Sequence, residues 1–262
     1  MDRVSRWNAI VSLLADHGRL SVKEVAERLD ASEATVRRDF DQLSRQQLVT
    51  RTRGGVTNST VAYDLPLRYK MARHNAERQR IATVAAAMVT PGQAIGLNGG
   101  TTTTEVARAL VARAEIANQG AEWPTVTVVT NALNIAGELV LRPTVKTVLT
   151  GGVARQQSYE LIGPLATRLL EDLWLDILFL GVNGIDAIGG ATANHEGEAG
   201  INGLMVRRSS RVVVVADGTK LGQVMFCRIA PIESIDVLVT DRGADPVAVE
   251  AIRAASVEVV TA

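Results

Sequence analysis

Two groups of residues carry side chains that could do chemistry. The first is Ser32-Glu33-Ala34-Thr35-Val36-Arg37-Arg38-Asp39-Phe40, followed by Arg51 and then Arg53-Gly54-Gly55. Arginine presents a planar fork that fits guanine edges and phosphate oxygens. These four forks call for a polyanion with readable edges. The second group is Asn98-Gly99-Gly100-Thr101-Thr102-Thr103-Thr104-Glu105. Glycines let backbone amides approach an anion, threonine hydroxyls donate, and a helix N-terminus adds its dipole. That chemistry holds a phosphate. The competing reading is an ordinary strand-to-helix turn with threonines at its cap. No Gly-Lys-Ser/Thr follows, so this is not a P-loop, and the stretch is not G-x-G-x-x-G. Lys220, at the end of another apolar run, could neutralise the same anion or simply be a solvated loop lysine.

The elements that would position the arginines can be read from the periodicity. Residues 6–14 form an amphipathic helix with Trp7, Ile10, Val11 and Leu14 on one face. His17-Gly18 breaks it. Ser21 caps a second helix, with Glu24 at the capping-box position and Val22, Val25, Ala26 and Leu29 on its buried side. Asp30-Ala31 is a tight turn into a third helix running from Ser32 to about Gln46. Leu48 to Arg51 and Val56 are strands around a Gly54-Gly55 turn. Three short helices with a hairpin give a winged helix-turn-helix, whose second paired helix enters the major groove. The candidate DNA contacts are Lys23, Ser32, Glu33, Thr35, Arg37, Arg38, Arg51, Arg53 and Gly54. Asp39 would be repelled by phosphate, so it is assigned a structural role, facing inward or directing an arginine.

Composition limits the alternatives. The 262 residues are 47% hydrophobic but only 3% aromatic, so a core of Ala, Val, Leu and Ile is expected. No apolar run approaches the roughly 20 residues that span a membrane. Cys227 is the single cysteine, which rules out an intrachain disulfide and suits a reducing cytoplasm. Three scattered histidines, His17, His74 and His195, offer no zinc site. The formal net charge of zero hides an asymmetry. Residues 1–80 hold 15 Lys/Arg against 10 Asp/Glu, and residues 81–262 hold 13 against 18. A basic head on an acidic body points to a polyanion partner at one end.

Residues 1–57 are therefore assigned to the DNA-binding domain and residues 58–76 to a linker and the start of a connecting helix. That helix is expected to run from about Leu67 to Val89. Residues 77–262 alternate short apolar runs with helices. The runs are QAIGL, VTVVT, VKTVLT, DILFLGV, RVVVVA, DVLVT and VEVV. Continuous β-branched runs separated by helices predict a parallel sheet covered on both faces, an α/β Rossmann-like domain. Small and polar residues recur after these runs, and ligands bind at that edge of open α/β sheets.

Residues 6–56 resemble the winged helix-turn-helix of the DeoR family of bacterial sugar-operon repressors. The family's T-x-R-R-D-L stands here as Thr35-Val36-Arg37-Arg38-Asp39-Phe40, and its H-G-G as Arg53-Gly54-Gly55. Gln46-Gln47 replace a usual glycine. The rest of the chain is similar to the family's sensor domain, which resembles phosphosugar isomerases in fold. Its G-T-T matches Gly100-Thr101-Thr102, its T-N Thr130-Asn131, and its G-G Gly151-Gly152. Its G-x-x-G-I-D matches Gly181-Val182-Asn183-Gly184-Ile185-Asp186, and its A-D-x-x-K-x-G matches the run from Ala216 to Gly222. The resemblance implies a sugar-phosphate effector bound by these positions. Asn98, Gly99, Thr103, Glu198, Asp217 and Lys220 complete the candidate set. Departures are Leu97-Asn98 for a usual aspartate before the threonine loop, and Asn202-Gly203 for a usual Lys-Arg pair. The expected protein is a homodimeric or homotetrameric repressor, cytoplasmic, without cofactor or metal.

The alternative is a phosphosugar isomerase or deaminase with an attached DNA-binding head. Isomerisation needs a base and an acid, and ANHEGEAG offers His195, Glu196 and Glu198. Against this, Asn183 cannot act as a base, and Asp186 is the one acid left after that strand. Glu198 is expected to bind ligand hydroxyls or cap the following helix, and His195 to be a loop residue or a ligand contact. A non-specific DNA-compacting protein is disfavoured by the neutral net charge.

Overall fold

The apolar periodicities of the head are met by three helices and a small sheet. The computed structural model describes residues 1–45, 48–58, 75–117 and 124–262. Helix α1 spans Arg3–His17, α2 Val22–Arg28 and α3 Glu33–Arg45. Trp7, Ile10, Val11, Leu14, Val25, Val36, Phe40 and Leu43 meet in one buried cluster. The Ser21 hydroxyl caps α2 by accepting from Glu24 N at 3.1 Å, as the sequence suggests. The tail of α3 at Gln46 lies outside the described residues. Two details differ from expectation. Arg19–Ser21 forms a strand, β1, where the sequence shows only a helix break. The wing turn is Arg53-Gly54, because Gly55 already belongs to a strand. Strand β2 is Val49–Thr52 and β3 is Gly55–Asn58, in the order β1-β3-β2. Gly54 takes φ +82° at that turn, a backbone setting that suits glycine.

The chain divides into two compact units, Met1–Arg73 and His74–Ala262. The second is built on a sheet of seven parallel strands: β4 Ala94–Leu97, β5 Val126–Thr130, β6 Val145–Leu149, β9 Ile177–Leu180, β12 Val212–Val215, β14 Val237–Thr240 and β15 Glu258–Thr261. These are the seven apolar runs of the sequence. Their order is β15-β14-β12-β9-β4-β5-β6. Alternate residues feed two cores: Ile177, Phe179, Val213 and Val215 on one face, Leu178, Leu180, Val212 and Val214 on the other.

Helices cover both faces. On the first lie α4 (Asn75–Ala86), α5 (Thr101–Ala112) and α7 (Leu133–Leu139), with the short α6 (Ala114–Ala117) following α5. On the second lie α8 (Pro164–Leu170), α9 (Glu196–Arg207) and α10 (Pro246–Ala254). The expected connecting helix is shorter than its pattern. Its described part ends at Ala86, and Ile81, Ala82 and Ala85 are buried in the core. Residues 67–74 lie outside the described residues.

The order of the sheet fixes where a ligand site can form. The chain runs outward from β4 through β5 to β6, then returns to place β9 on the other flank of β4. The switch point lies between β4 and β9, where connections diverge and leave a crevice. Two additions near the strand ends escaped the sequence reading, because two of their strands are only two residues long and the others, GID, GATA and CRIA, lack a continuous β-branched run. One is a hairpin of β7 (Val153–Ala154) and β8 (Leu161–Ile162). The other is a small antiparallel sheet of β10 (Gly184–Asp186), β11 (Gly190–Ala193) and β13 (Cys227–Ala230).

Candidate functional sites

In the head, Ser32 sits at the start of α3 and its hydroxyl accepts from Thr35 N at 3.2 Å. The same oxygen lies 2.9 Å from Thr35 Oγ1. Arg37 pairs with Glu33 one turn back at 2.9 Å, both exposed. Lys23 stands 4.0 Å from Glu27 on α2. Arg51 folds back onto α3, with Nε 3.2 Å from Asp41 and its guanidinium over the Phe40 ring. Arg38 and Arg53 are exposed and make no hydrogen bond or ion pair among the described residues. Two arginines are thus oriented by the head itself, and two present open forks.

Asp39 faces inward as its repulsion by phosphate requires. It is 4% exposed. Its oxygens accept from Trp7 Nε1 at 2.7 Å and from Arg6 Nη2 at 3.2 Å, tying α3 to α1. The pair raises the Arg6 pKa, chiefly through the Asp39 hydrogen bond. The aspartate fixes the helix that carries Arg38 and points away from its neighbouring arginines.

In the second unit, the loops at the switch point come together as their strand positions demand. Asn98 follows β4 and Gly181 follows β9. The Asn98 amide donates to Gly181 O at 2.9 Å and accepts from Gly181 N at 2.7 Å. Asn98 is 1% exposed, so it clamps the two strand ends. Gly100 opens α5. Its carbonyl receives the hydroxyls of Thr104 at 2.6 Å and Thr103 at 3.2 Å. Those two hydroxyls are engaged at the helix start. The first-turn amides, from Thr101 to Thr103, have no partner within an α-helix. Thr101 is half-buried and Thr102 buried beside them.

Other expected residues occupy different places. Thr130 ends β5, beside β4, Asn131 follows it, and both are fully buried. Asn131 Nδ2 donates to Asn202 Oδ1 at 3.3 Å. Gly151 and Gly152 start the hairpin beyond β6, both at positive φ. Asn183 Oδ1 accepts from Asn194 N at 3.1 Å and so fixes a loop. Gly184 is built into β10 rather than a strand-end loop. Asp217 accepts from the amide and hydroxyl of Thr219, shaping the short turn that carries half-buried Lys220. Asp186 accepts from Ile188 N and Gly189 N in a turn.

The segment ANHEGEAG corrects the capping assignment. His195 is the N-cap of α9, with Nδ1 accepting from Gly197 N at 3.1 Å. Glu198 lies inside the helix and pairs with Arg155 at 3.2 Å, the two side chains 11% and 10% exposed. Glu196 is exposed. Among the described residues, no group of three His, Cys, Asp or Glu could hold a metal ion, and no helix is long and apolar enough to cross a membrane.

One site residue was missed from the sequence. The return arm of the hairpin is stitched to the loop after β5 by Leu161 N to Asn131 O at 2.6 Å and Leu133 N to Tyr159 O at 3.0 Å. This carries Glu160 into the crevice, 2% exposed. Its Oε1 accepts from Gly99 N at 2.7 Å and from Asn202 Nδ2 at 3.4 Å. Its Oε2 is buried without a partner among the described residues. Burial, then the nearby Glu198 carboxylate, pushes its pKa up to about 8. A Cβ at Gly99 would collide with the Glu160 side chain, so this approach needs glycine there. The one hint in the sequence is a lone acid directly before the apolar Leu161-Ile162.

Known proteins agree with this architecture. Residues 6–60 match the DeoR-like helix-turn-helix domain, and residues 73–242 match the DeoR C terminal sensor domain. The chain is 35% identical to the HTH-type transcriptional regulator GlpR of Haloferax volcanii over 97% of its own length and 96% of the relative's. It is 28% identical to the glycerol-3-phosphate regulon repressor of Escherichia coli K12, covering 92% of each chain. It is also 28% identical to the HTH-type transcriptional repressor CsqR of the same organism, covering 90% of this chain and 87% of that one. Head, sensor unit and full-length relatives all lead to one assignment: the chain belongs to the DeoR family of DNA-binding transcriptional regulators.

Proposed function

We propose that this regulator represses a carbohydrate-catabolism operon and is controlled by a sugar phosphate or related phosphorylated metabolite. The observation that carries the reading is the meeting of strand ends at the β4–β9 switch point, where Asn98 is bonded to Gly181 and α5 begins just after Gly100. Thr102 and Lys220 are assigned to the anion, and Thr130-Asn131 and Gly151-Gly152 to the remainder of the effector. The relative named as a glycerol-3-phosphate regulon repressor supports a phosphorylated polyol as the class to try first. The operator is read by Arg38 and Arg53, with Arg37, Arg51, Thr35, Ser32, Glu33, Lys23 and Gly54 completing the contact face. One short helix reads few base pairs, so a homodimer or homotetramer in the cytoplasm is the working form.

The protein acts by binding and not by turnover. His195 and Glu198 are engaged in capping and in the Arg155 pair, and Asn183 holds a loop. Effector changes operator affinity by no more than its differential affinity for the two states. The test is fluorescence anisotropy of the protein on its own upstream DNA at fixed salt, with and without a panel of sugar phosphates. Specific binding altered by one phosphosugar is the expected result. Binding indifferent to every phosphosugar, or turnover of one of them, would overturn the effector assignment.

A further inference from the structure

Glu160 is unexplained by DNA binding or by a simple phosphate cradle. A carboxyl group lies against the glycine amide of an anion site, where another anion would be repelled. Oε1 already accepts from Gly99 N at 2.7 Å. Oε2 is a buried oxygen with no donor among the described residues. As a carboxylate oxygen it would be an unpaired buried acceptor, which is costly. As an O–H it is a donor awaiting an acceptor. The charged groups facing it are Glu198 on α9 and Arg155 in the hairpin turn. The Gly99 loop and the loop after β5 bring only amides and Asn131, and α9 adds Asn202. Arg155 is bound to Glu198 at 3.2 Å. The trio is therefore neutral when Glu160 is uncharged and carries one negative charge when it is not.

We infer that Glu160 is an effector-binding residue that works as a neutral acid: its Oε2–H donates to an anionic oxygen of the effector beside Gly99, and its ionised form excludes that anion. The inference rests on the effector reading above and adds a selecting residue and a proton to it. A hydrogen bond from a neutral acid to an anion is among the short, strong kinds. Burial and Glu198 hold the acid form through neutral pH, with the pKa at about 8. Anion binding stabilises the proton further, so binding and protonation are linked.

The experiment titrates inorganic sulfate, which has no protonation step in this range, into the full-length protein by calorimetry from pH 7 to 9. If only the neutral form binds, the competent fraction falls about tenfold between pH 7 and 9, and sulfate affinity falls with it. Glu160→Gln keeps a donor and has no charge, so it should bind sulfate at pH 9 about tenfold more tightly than the unaltered protein, with a flat profile. Should that variant fail to fold, the unaltered protein still answers. At pH 8, sulfate binding should take up about half a proton, read from the heats in two buffers of different ionisation enthalpy. A flat profile with no proton uptake, or a variant retaining the full slope, overturns the role of Glu160 and leaves the effector site standing. Absence of sulfate and phosphate binding at every pH overturns both.

Discussion

Arg38 and Arg53 differ from the candidate contacts Arg37 and Arg51 in having no partner among the described residues. An arginine already paired must give up an ion pair to reach DNA, and exposed pairs are weak enough to exchange. Arg38→Ala is expected to cost roughly 1–3 kcal/mol of operator affinity if its fork reads a base. Anisotropy on operator and scrambled DNA measures this; equal losses on both sequences would reduce Arg38 to a phosphate contact. Glu160 predicts a different observable. Its carboxyl stays protonated in the folded chain up to about pH 8, against an ordinary value of 4.5. Below the lower value both folded and unfolded chains hold the proton. Between the two, the folded chain alone keeps it, so stability falls as pH rises through that window and levels off above it. Urea midpoints from pH 5 to 8.5 should decline in the unaltered protein more than in Glu160→Gln. Parallel declines would mean that Glu160 titrates normally.

At the scale of elements, the first turn of α3 sets the start of the helix that carries Arg37 and Arg38. Ser32 caps that turn through Thr35 N. Ser32→Ala should lower head stability by about 1 kcal/mol. Ser32→Asp restores the cap but sets a negative charge against phosphate. Thermal unfolding by circular dichroism separates the two effects from operator affinity. If alanine leaves the melting curve unchanged, the cap is idle and Ser32 acts on DNA alone. In the sensor unit the corresponding element is the β7–β8 hairpin. It belongs to neither face of the main sheet, yet its hydrogen bonds to residues 131–133 deliver Glu160 and Arg155 to the crevice.

For the whole molecule, the prediction concerns separability. Thr102→Ala and Lys220→Ala should leave operator affinity unchanged and blunt the phosphosugar response. Survival of full effector-driven change in both variants would move the cradle elsewhere. By linkage, any factor by which effector alters operator affinity must reappear in the effect of operator DNA on effector affinity. The sequence by itself determined the seven sheet strands, the three helices of the head, the inward role of Asp39 and the family. Each of these is written in local periodicity, capping and contiguous motifs, which need no distant partner to be read. Only the tertiary structure decided that β9 returns to the flank of β4, which makes Asn98 a clamp on Gly181. It also decided that His195 caps α9, that Arg51 lies on Asp41, and that Glu160 reaches Gly99 across 61 positions of sequence. Those outcomes depend on which strand ends become neighbours and on how a hairpin too short to show a period folds back, and neither is encoded in any one stretch of the chain.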